Sequence, residues 1–257
     1  MKELVHCSIK NNIAFIEIDN PPVNALTNEL IIQFRETITD LKIEEGIRAV
    51  IIYSIAHNNS FVAGADINKF LSLKTKEDGE EIALFYQSAI GEVASINVPV
   101  ICAVEGLALG GGCELALGCD IRIAGENAQF GLTEVKIGIL PGGGGTQRLS
   151  RLVGPGYAKF MIYSGMKINA REALRVGLIE KLVPPGKALK EATALAQIFS
   201  ENAPNAIKYS KEVIDKGLDV SLEQGLEIEK QGVGKASQSG EPVVGGKAFK
   251  EKRKPVF

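Results

Sequence analysis

The stretch LALGGGCELAL, residues 107–117, sets a single carboxylate, Glu114, into an apolar run directly behind three consecutive glycines. An ionised carboxylate buried without a partner costs several kcal/mol. A glycine triplet also forfeits backbone entropy and side-chain packing. Both penalties fall on one segment, so the fold has to give Glu114 and the glycines a use. The preceding Pro99-Val100-Ile101-Cys102-Ala103-Val104 reads as a buried strand, and the residues after the glycines as a short helix. Gly110 to Gly112 then deliver backbone N–H groups at a helix N-terminus, where donors lack intrahelical partners and the dipole favours negative charge. Such a turn suits a bound anion, or an oxyanion that forms only during reaction. Close packing of helix on strand is the competing reading of the same glycines. The phosphate loop GxxxxGK[ST] is absent, since Gly142 to Thr146 carries no lysine, and no GxGxxG pattern occurs around residues 106–114.

A second segment has the same character. Ser60-Phe61-Val62-Ala63-Gly64-Ala65-Asp66-Ile67 runs from strand-like residues through Ala-Gly-Ala into a helix start, with Asp66 in its first turn. The N–H of Ala65 is a second candidate donor toward a ligand. A second carboxylate, Glu134, follows Glu114 across a strand-like stretch. Two carboxylates divide acid and base roles when their environments push their pKa values apart; a solvated glutamate beside Lys136 is the plainer reading. The C-terminal cations Lys247, Lys250, Lys252, Arg253 and Lys254 read as a solvated helix end or as a phosphate contact.

Composition narrows the chemistry. Of 257 residues, 45% are hydrophobic and 23% charged, with a net charge of −2, as in an ordinary globular protein. That balance offers no general attraction for nucleic acid or for an anionic membrane. Glu105, Glu114, Asp120 and Arg122 interrupt the best candidate for a membrane span, and the first twenty residues lack the apolar core of a secretion signal. Cys7, Cys102, Cys113 and Cys119 form no CxxC pair, and only His6 and His57 accompany them. The four cysteines are expected to be buried small hydrophobes in a reducing cytoplasm. No metal site is expected, and histidine-based triads are set aside. The remaining tools are carboxylates, lysines and the backbone.

Strand and helix signals alternate through the first half: strands at residues 13–18, 48–53, 99–104 and 120–124, helices at 24–45 and 79–96. One further strand is expected near Leu178 to Val183, and from Ala188 onward helix follows helix. The expected organisation is an α/β core over residues 1–185 and a helical C-terminal region over residues 186–257.

Six ordered motifs resemble the crotonase (enoyl-CoA hydratase) superfamily over nearly the whole chain. They are NPPVNAL from Asn20, SFVAGADI, GLALGGGCELAL, the FG..E segment ending at Glu134, LPGGGGTQRL from Leu140, and EKRK from Glu251. The resemblance implies a crotonase-like spiral of ββα units, with a helical C-terminal region that builds homotrimers, usually paired into homohexamers. It implies an acyl-CoA thioester substrate, with coenzyme A part of that substrate and no separate cofactor. The family's oxyanion hole maps onto the backbone N–H groups of Ala65 and Gly111, and its catalytic glutamates onto Glu114 and Glu134. Glu114 holds a water and accepts its proton; Glu134 holds the same water and supplies a proton to C2. CoA and substrate contacts map onto Ala63, Gly64, Asp66, Ile67 and Lys252, and a variable acyl pocket onto Phe70, Leu71, Leu73, Ile82, Phe85 and Tyr86. Three positions depart from the pattern: Thr133 replaces a common proline, the 20–26 segment lacks a basic residue, and Lys69 stands one place late. Having both glutamates favours hydration of a 2-enoyl-CoA. A specialised branched, dicarboxylic or cyclic enoyl thioester, an isomerase and a non-catalytic acyl-CoA-binding subunit are the alternatives.

Overall fold

The computed structural model describes residues 2–257. An antiparallel hairpin opens the chain: β1 (Val5–Lys10) and β2 (Ile13–Ile18) turn through Asn11 and Asn12, both in the left-handed region that asparagine tolerates. Helix α1 (Asn28–Ile43) follows, its first turn closed by Thr27, whose hydroxyl accepts from the Leu30 N–H. Three repeats of strand, strand and helix come next. The first is β3 (Ala49–Ser54), β4 (Ser60–Val62) and α2 (Lys76–Ala94). The second is β5 (Val100–Val104), β6 (Leu107–Leu109) and α3 (Gly111–Leu117). The third is β7 (Ile121–Gly125), β8 (Gln129–Gly131) and α4 (Gly145–Val153). The chain continues through α5 (Pro155–Ser164), β9 (Ile168–Asn169), α6 (Ala170–Arg175) and β10 (Lys181–Val183). It ends in α7 (Ala188–Ser200), α8 (Pro204–Gly217), α9 (Leu222–Ser237) and α10 (Glu241–Lys250).

Each repeat places its first strand in one sheet and its second in another. The larger sheet has the order β1-β2-β3-β5-β7-β10 and is parallel from β2 onward; the smaller has the order β4-β6-β8-β9, its first three strands parallel. The chain therefore climbs as the expected spiral. Alternating side chains sort the core into two layers, because successive residues of a strand face opposite sides. Val50, Ile52, Val100 and Cys102 point with Leu30, Phe34 and Ile38 of α1 into the layer shared with the small sheet. Ala49, Ile51, Ile101 and Ala103 face the other way, against Ala188, Ala192 and Ala196 of α7. Alanine at each of those positions lets the helix lie close on the parallel strands. The cover of the large sheet thus extends to residue 200, past the composition change near residue 185. Helices α8 and α9 pack chiefly on each other, and Lys211 ties α8 to the core by donating to Asp120 at 2.6 Å.

Strands β1, β6 and β9 escape the periodicity reading, β6 because it has only three residues. In β1 only Val5 is buried, and the rest of the strand is partly or fully exposed along the sheet's edge. Cys7 is consequently exposed, which corrects the expectation of four buried cysteines; Cys102, Cys113 and Cys119 are buried. Strand β9 has two residues, too few for any period to show. Among the described residues no helix is long and apolar enough to cross a membrane.

Candidate active site

Three neighbouring strands of the small sheet end at one place. Beyond the C-terminal ends of β4, β6 and β8 stand Ala65, Gly111 and Glu134, two or three residues out in each case. The first position is set by a single parallel bridge between Leu26 and Ala65. Leu26 N–H donates to the Gly64 carbonyl at 2.8 Å, and Asp66 N–H donates to the Leu26 carbonyl at 3.4 Å. In a parallel bridge made by the two flanking residues, the middle residue turns its own N–H the other way. The Ala65 amide therefore points away from Leu26. The second position is the first residue of α3, whose N–H has no intrahelical acceptor. Gly110 makes the turn at φ 49° and anchors it by donating to the Gly131 carbonyl at 2.8 Å.

Glycine is required here by contact as well as conformation. A methyl group on Gly111 would lie 3.6 Å from the Ala65 nitrogen, so the two amides are neighbours. A methyl on Gly112 would sit 2.0 Å from the Val62 carbonyl oxygen, which is impossible without parting α3 from β4. The packing reading of the triplet holds at Gly112, while Gly111 stands beside the Ala65 nitrogen.

Both carboxylates reach this spot. A methyl on Gly110 would lie 3.2 Å from Glu134 Oε1. Glu114, only 3% exposed, turns its Oε1 toward the loop before α4 and accepts from Gly143 N–H and Gly145 N–H, each at 2.8 Å. Those donors lie at a helix N-terminus, so the dipole of α4 favours the charge. Burial pushes the Glu114 carboxyl up, while the Gly145 and Gly143 amides and the Arg148 guanidinium hold it back. Glu134 has only its own backbone N–H to hold it down. Its Oε2 is buried and unpartnered among the described residues, and burial followed by the Glu114 charge lifts its pKa to about 7. One carboxylate is thus held by two loop amides and the other by its own backbone N–H alone. The two titrate as a coupled pair, and Glu134 keeps its proton toward neutral pH.

The remaining expected contacts are more scattered. Ala63 donates its N–H to the Val23 carbonyl at 3.1 Å, and Gly64 is buried with φ 123°. Asp66 caps a short 3₁₀ turn over residues 67–72 by accepting from Asn68 N–H, and Ile67 is exposed beside it. Lys252 is exposed in the turn after α10, on a segment separate from the strand ends that gather the other groups. Of the acyl-pocket set, Ile82, Phe85 and Tyr86 share α2, and the Lys69 ammonium lies 3.9 Å from the Phe85 ring centre. Leu71 is 79% exposed, and Tyr86 is buried with its hydroxyl donating to the Leu26 carbonyl at 3.2 Å. Among the described residues no cluster of three or more His, Cys, Asp or Glu side chains is placed to hold a metal ion. The sequence did not mark Gly143 and Gly145 as partners of Glu114, although the run Gly142 to Gly145 was a signal that something approaches that backbone closely.

A spiral of two-sheet repeats that converges two main-chain amides and two unequal carboxylates defines a class of proteins that handle a substrate developing negative charge. The sequence profile of the enoyl-CoA hydratase/isomerase family matches residues 8–257, and the chain belongs to that family. It is 40% identical over 246 residues to the short-chain-enoyl-CoA hydratase of Clostridium acetobutylicum, covering 95% of this chain and 94% of the relative. It is 38% identical to the crotonyl-CoA hydratase of Syntrophomonas wolfei, covering 96% and 95% of the two chains. The crystal structure of an enoyl-CoA hydratase from Bacillus anthracis superposes with a TM-score of 0.93 at 35% identity, over 99% of each chain.

Proposed function

We propose that the protein is an enoyl-CoA hydratase, a hydro-lyase that adds water reversibly to a trans-2-enoyl-CoA and gives the 3-hydroxyacyl-CoA. The observation that carries this reading is the unequal pair: Glu114 held by two loop amides and Glu134 with a buried, unpartnered Oε2, beside the neighbouring amides of Ala65 and Gly111. The thioester oxygen lies against the two amides. As water adds to C3, electrons move through the double bond onto that oxygen, and preorganised donors stabilise it most where charge develops. Glu114, as carboxylate, takes a proton from the water while its oxygen bonds to C3. Glu134, as carboxylic acid, gives its proton to C2 on the same face. The net change is one water added, with a proton moved from Glu134 to Glu114 that solvent exchange restores.

Coenzyme A enters as part of the substrate, and the chemistry needs no metal or redox group. Ala63, Gly64, Asp66 and Ile67 border the thioester, and Lys252 reaches CoA phosphate. The active species is a homotrimer or a pair of trimers in the cytoplasm. The names of the two curated relatives support short-chain enoyl thioesters as substrates. Crotonyl-CoA is therefore the first test: catalytic amounts of enzyme should lower its enoyl absorbance to the equilibrium value, whereas saturable binding without turnover overturns the reading. A series of enoyl-CoA substrates from about four to about sixteen carbons, ranked by kcat/KM, then fixes the acyl preference.

A further inference from the structure

Asn24 is fully buried, with 0% exposure, yet it belongs to neither sheet nor helix and contacts no reacting group. Its backbone is left-handed at φ 55°. Its Nδ2 donates to three carbonyls of the crossing segment: Ile55 at 2.7 Å, Phe61 at 3.0 Å and Ser60 at 3.2 Å. Its Oδ1 accepts from Asn20 N–H at 2.8 Å. On either side of it the main chain pairs with the segment that holds Ala65. Val23 accepts from Ala63 N–H, and Leu26 bonds to both Gly64 and Asp66. Residues 23–26 are thus the rung that turns the Ala65 amide outward, and Asn24 fastens that rung to the end of β4.

We propose that Asn24 is a positioning residue for the Ala65 oxyanion donor, an inference that rests on the hydratase reading above. Asparagine meets two demands together. Its short amide tolerates the left-handed backbone better than most side chains, and its Nδ2 donates to the carbonyls of Ile55, Ser60 and Phe61 together. Glycine meets the first demand only. Aspartate keeps the shape and the acceptor, but turns a carboxylate toward three carbonyl oxygens. The Ala65 N–H is a main-chain group, so its aim depends on the rung, and a misplacement of about 1 Å in a reacting group can lower a rate about 100-fold.

The test compares wild type, Asn24→Gly and Asn24→Ser, the last keeping one hydroxyl donor under the same carbonyls. Asn58→Gly serves as control, because Asn58 Nδ2 bonds the same loop at the Pro22 carbonyl without touching the rung, and glycine tolerates its left-handed backbone at φ 48°. Circular dichroism establishes the folded fraction at the assay temperature. In folded enzyme, Asn24→Gly should lower kcat for crotonyl-CoA roughly 10- to 100-fold, with KM within about threefold. Asn24→Ser should fall between it and wild type, and Asn58→Gly should match wild type. A donor-substituted cinnamoyl-CoA gives a second readout that a purely structural role would leave unmoved. Its absorption band shifts red when the carbonyl is polarised, and that shift should shrink in the same order. Folded Asn24 variants with wild-type kcat and red shift overturn the proposal alone, as does failure of both variants to fold. Wild type with neither hydration nor red shift overturns the hydratase reading itself.

Discussion

At the scale of single residues, the two glutamates differ in what surrounds them. Glu134 rises from the usual 4.5 to about 7 because its carboxyl is buried and faces the Glu114 charge. As proton donor in hydration it must be protonated, so kcat/KM for hydration should fall as pH rises through about 7, and kcat/KM for dehydration of the 3-hydroxyacyl-CoA, tied to it by a pH-independent equilibrium, should fall in step. A flat hydration profile between about pH 6 and about pH 9 would remove Glu134 from that role. The same shift has a stability sign. The folded state binds the extra proton between 4.5 and about 7, so stability falls as pH rises across that window and the penalty is complete above it. Glu134→Gln should therefore lose most activity and still melt several degrees above wild type at pH 8, with the difference closing near pH 5. Equal melting shifts at both pH values would contradict it. Glu114→Gln should lower kcat far more than it raises KM, and the double variant should be much less impaired than the product of the single losses. Of this pair, Glu114 was legible as a charge set in an apolar run. Glu134 was legible only through the family resemblance, since alone it resembles any solvated glutamate near a lysine. The partners of Glu114 lie 29 and 31 residues away, beyond the reach of local pattern.

Among the elements, α3 and α7 make opposite use of small residues. In α3, Gly111 and Gly112 are adjacent but have separate jobs, and substitution should divide them. Gly111 is the first helical residue, a position where proline is tolerated because the N–H has no helical partner. Gly111→Pro should fold by circular dichroism yet lose about 10²–10³ in kcat, as for a deleted oxyanion donor. Gly112→Ala should instead fail in folding, through its collision with the Val62 carbonyl. In α7 the alanines meet the sheet directly, and Ala192→Leu should cost about 1–3 kcal/mol by overpacking, read as a lowered urea midpoint. A variant as stable as wild type would show that α7 can lift from the sheet without penalty. Strands with a strong period and α1 with its apolar face were readable from sequence. The outer edge of β1 was not, because an edge strand exposes much of its length and loses the alternation that announces a strand. The alanine face of α7 was read as part of a separate helical region, since alanine signals helix without saying what it packs on.

Across the whole molecule, the last three helices leave large apolar side chains in solvent, with Leu222 80% and Phe249 85% exposed. Patches of that kind mark association surfaces. Sedimentation at micromolar concentration should accordingly show a trimer or hexamer, and an active monomer would refute the proposed assembly. The spiral carries a different consequence. Each neighbouring strand of the small sheet presents one group: an amide after β4, an amide after β6, a carboxyl after β8. The two amides belong to the main chain, so almost no change of side chain can delete them, whereas a single codon change removes the carboxyl on the third strand. On the proposed mechanism, the protein therefore inherits a hard-wired means of stabilising an enolate and a replaceable means of choosing what happens to it. New reactions on the same thioester are most accessible by exchanging the residue at position 134 while the rest of the spiral stays as it is.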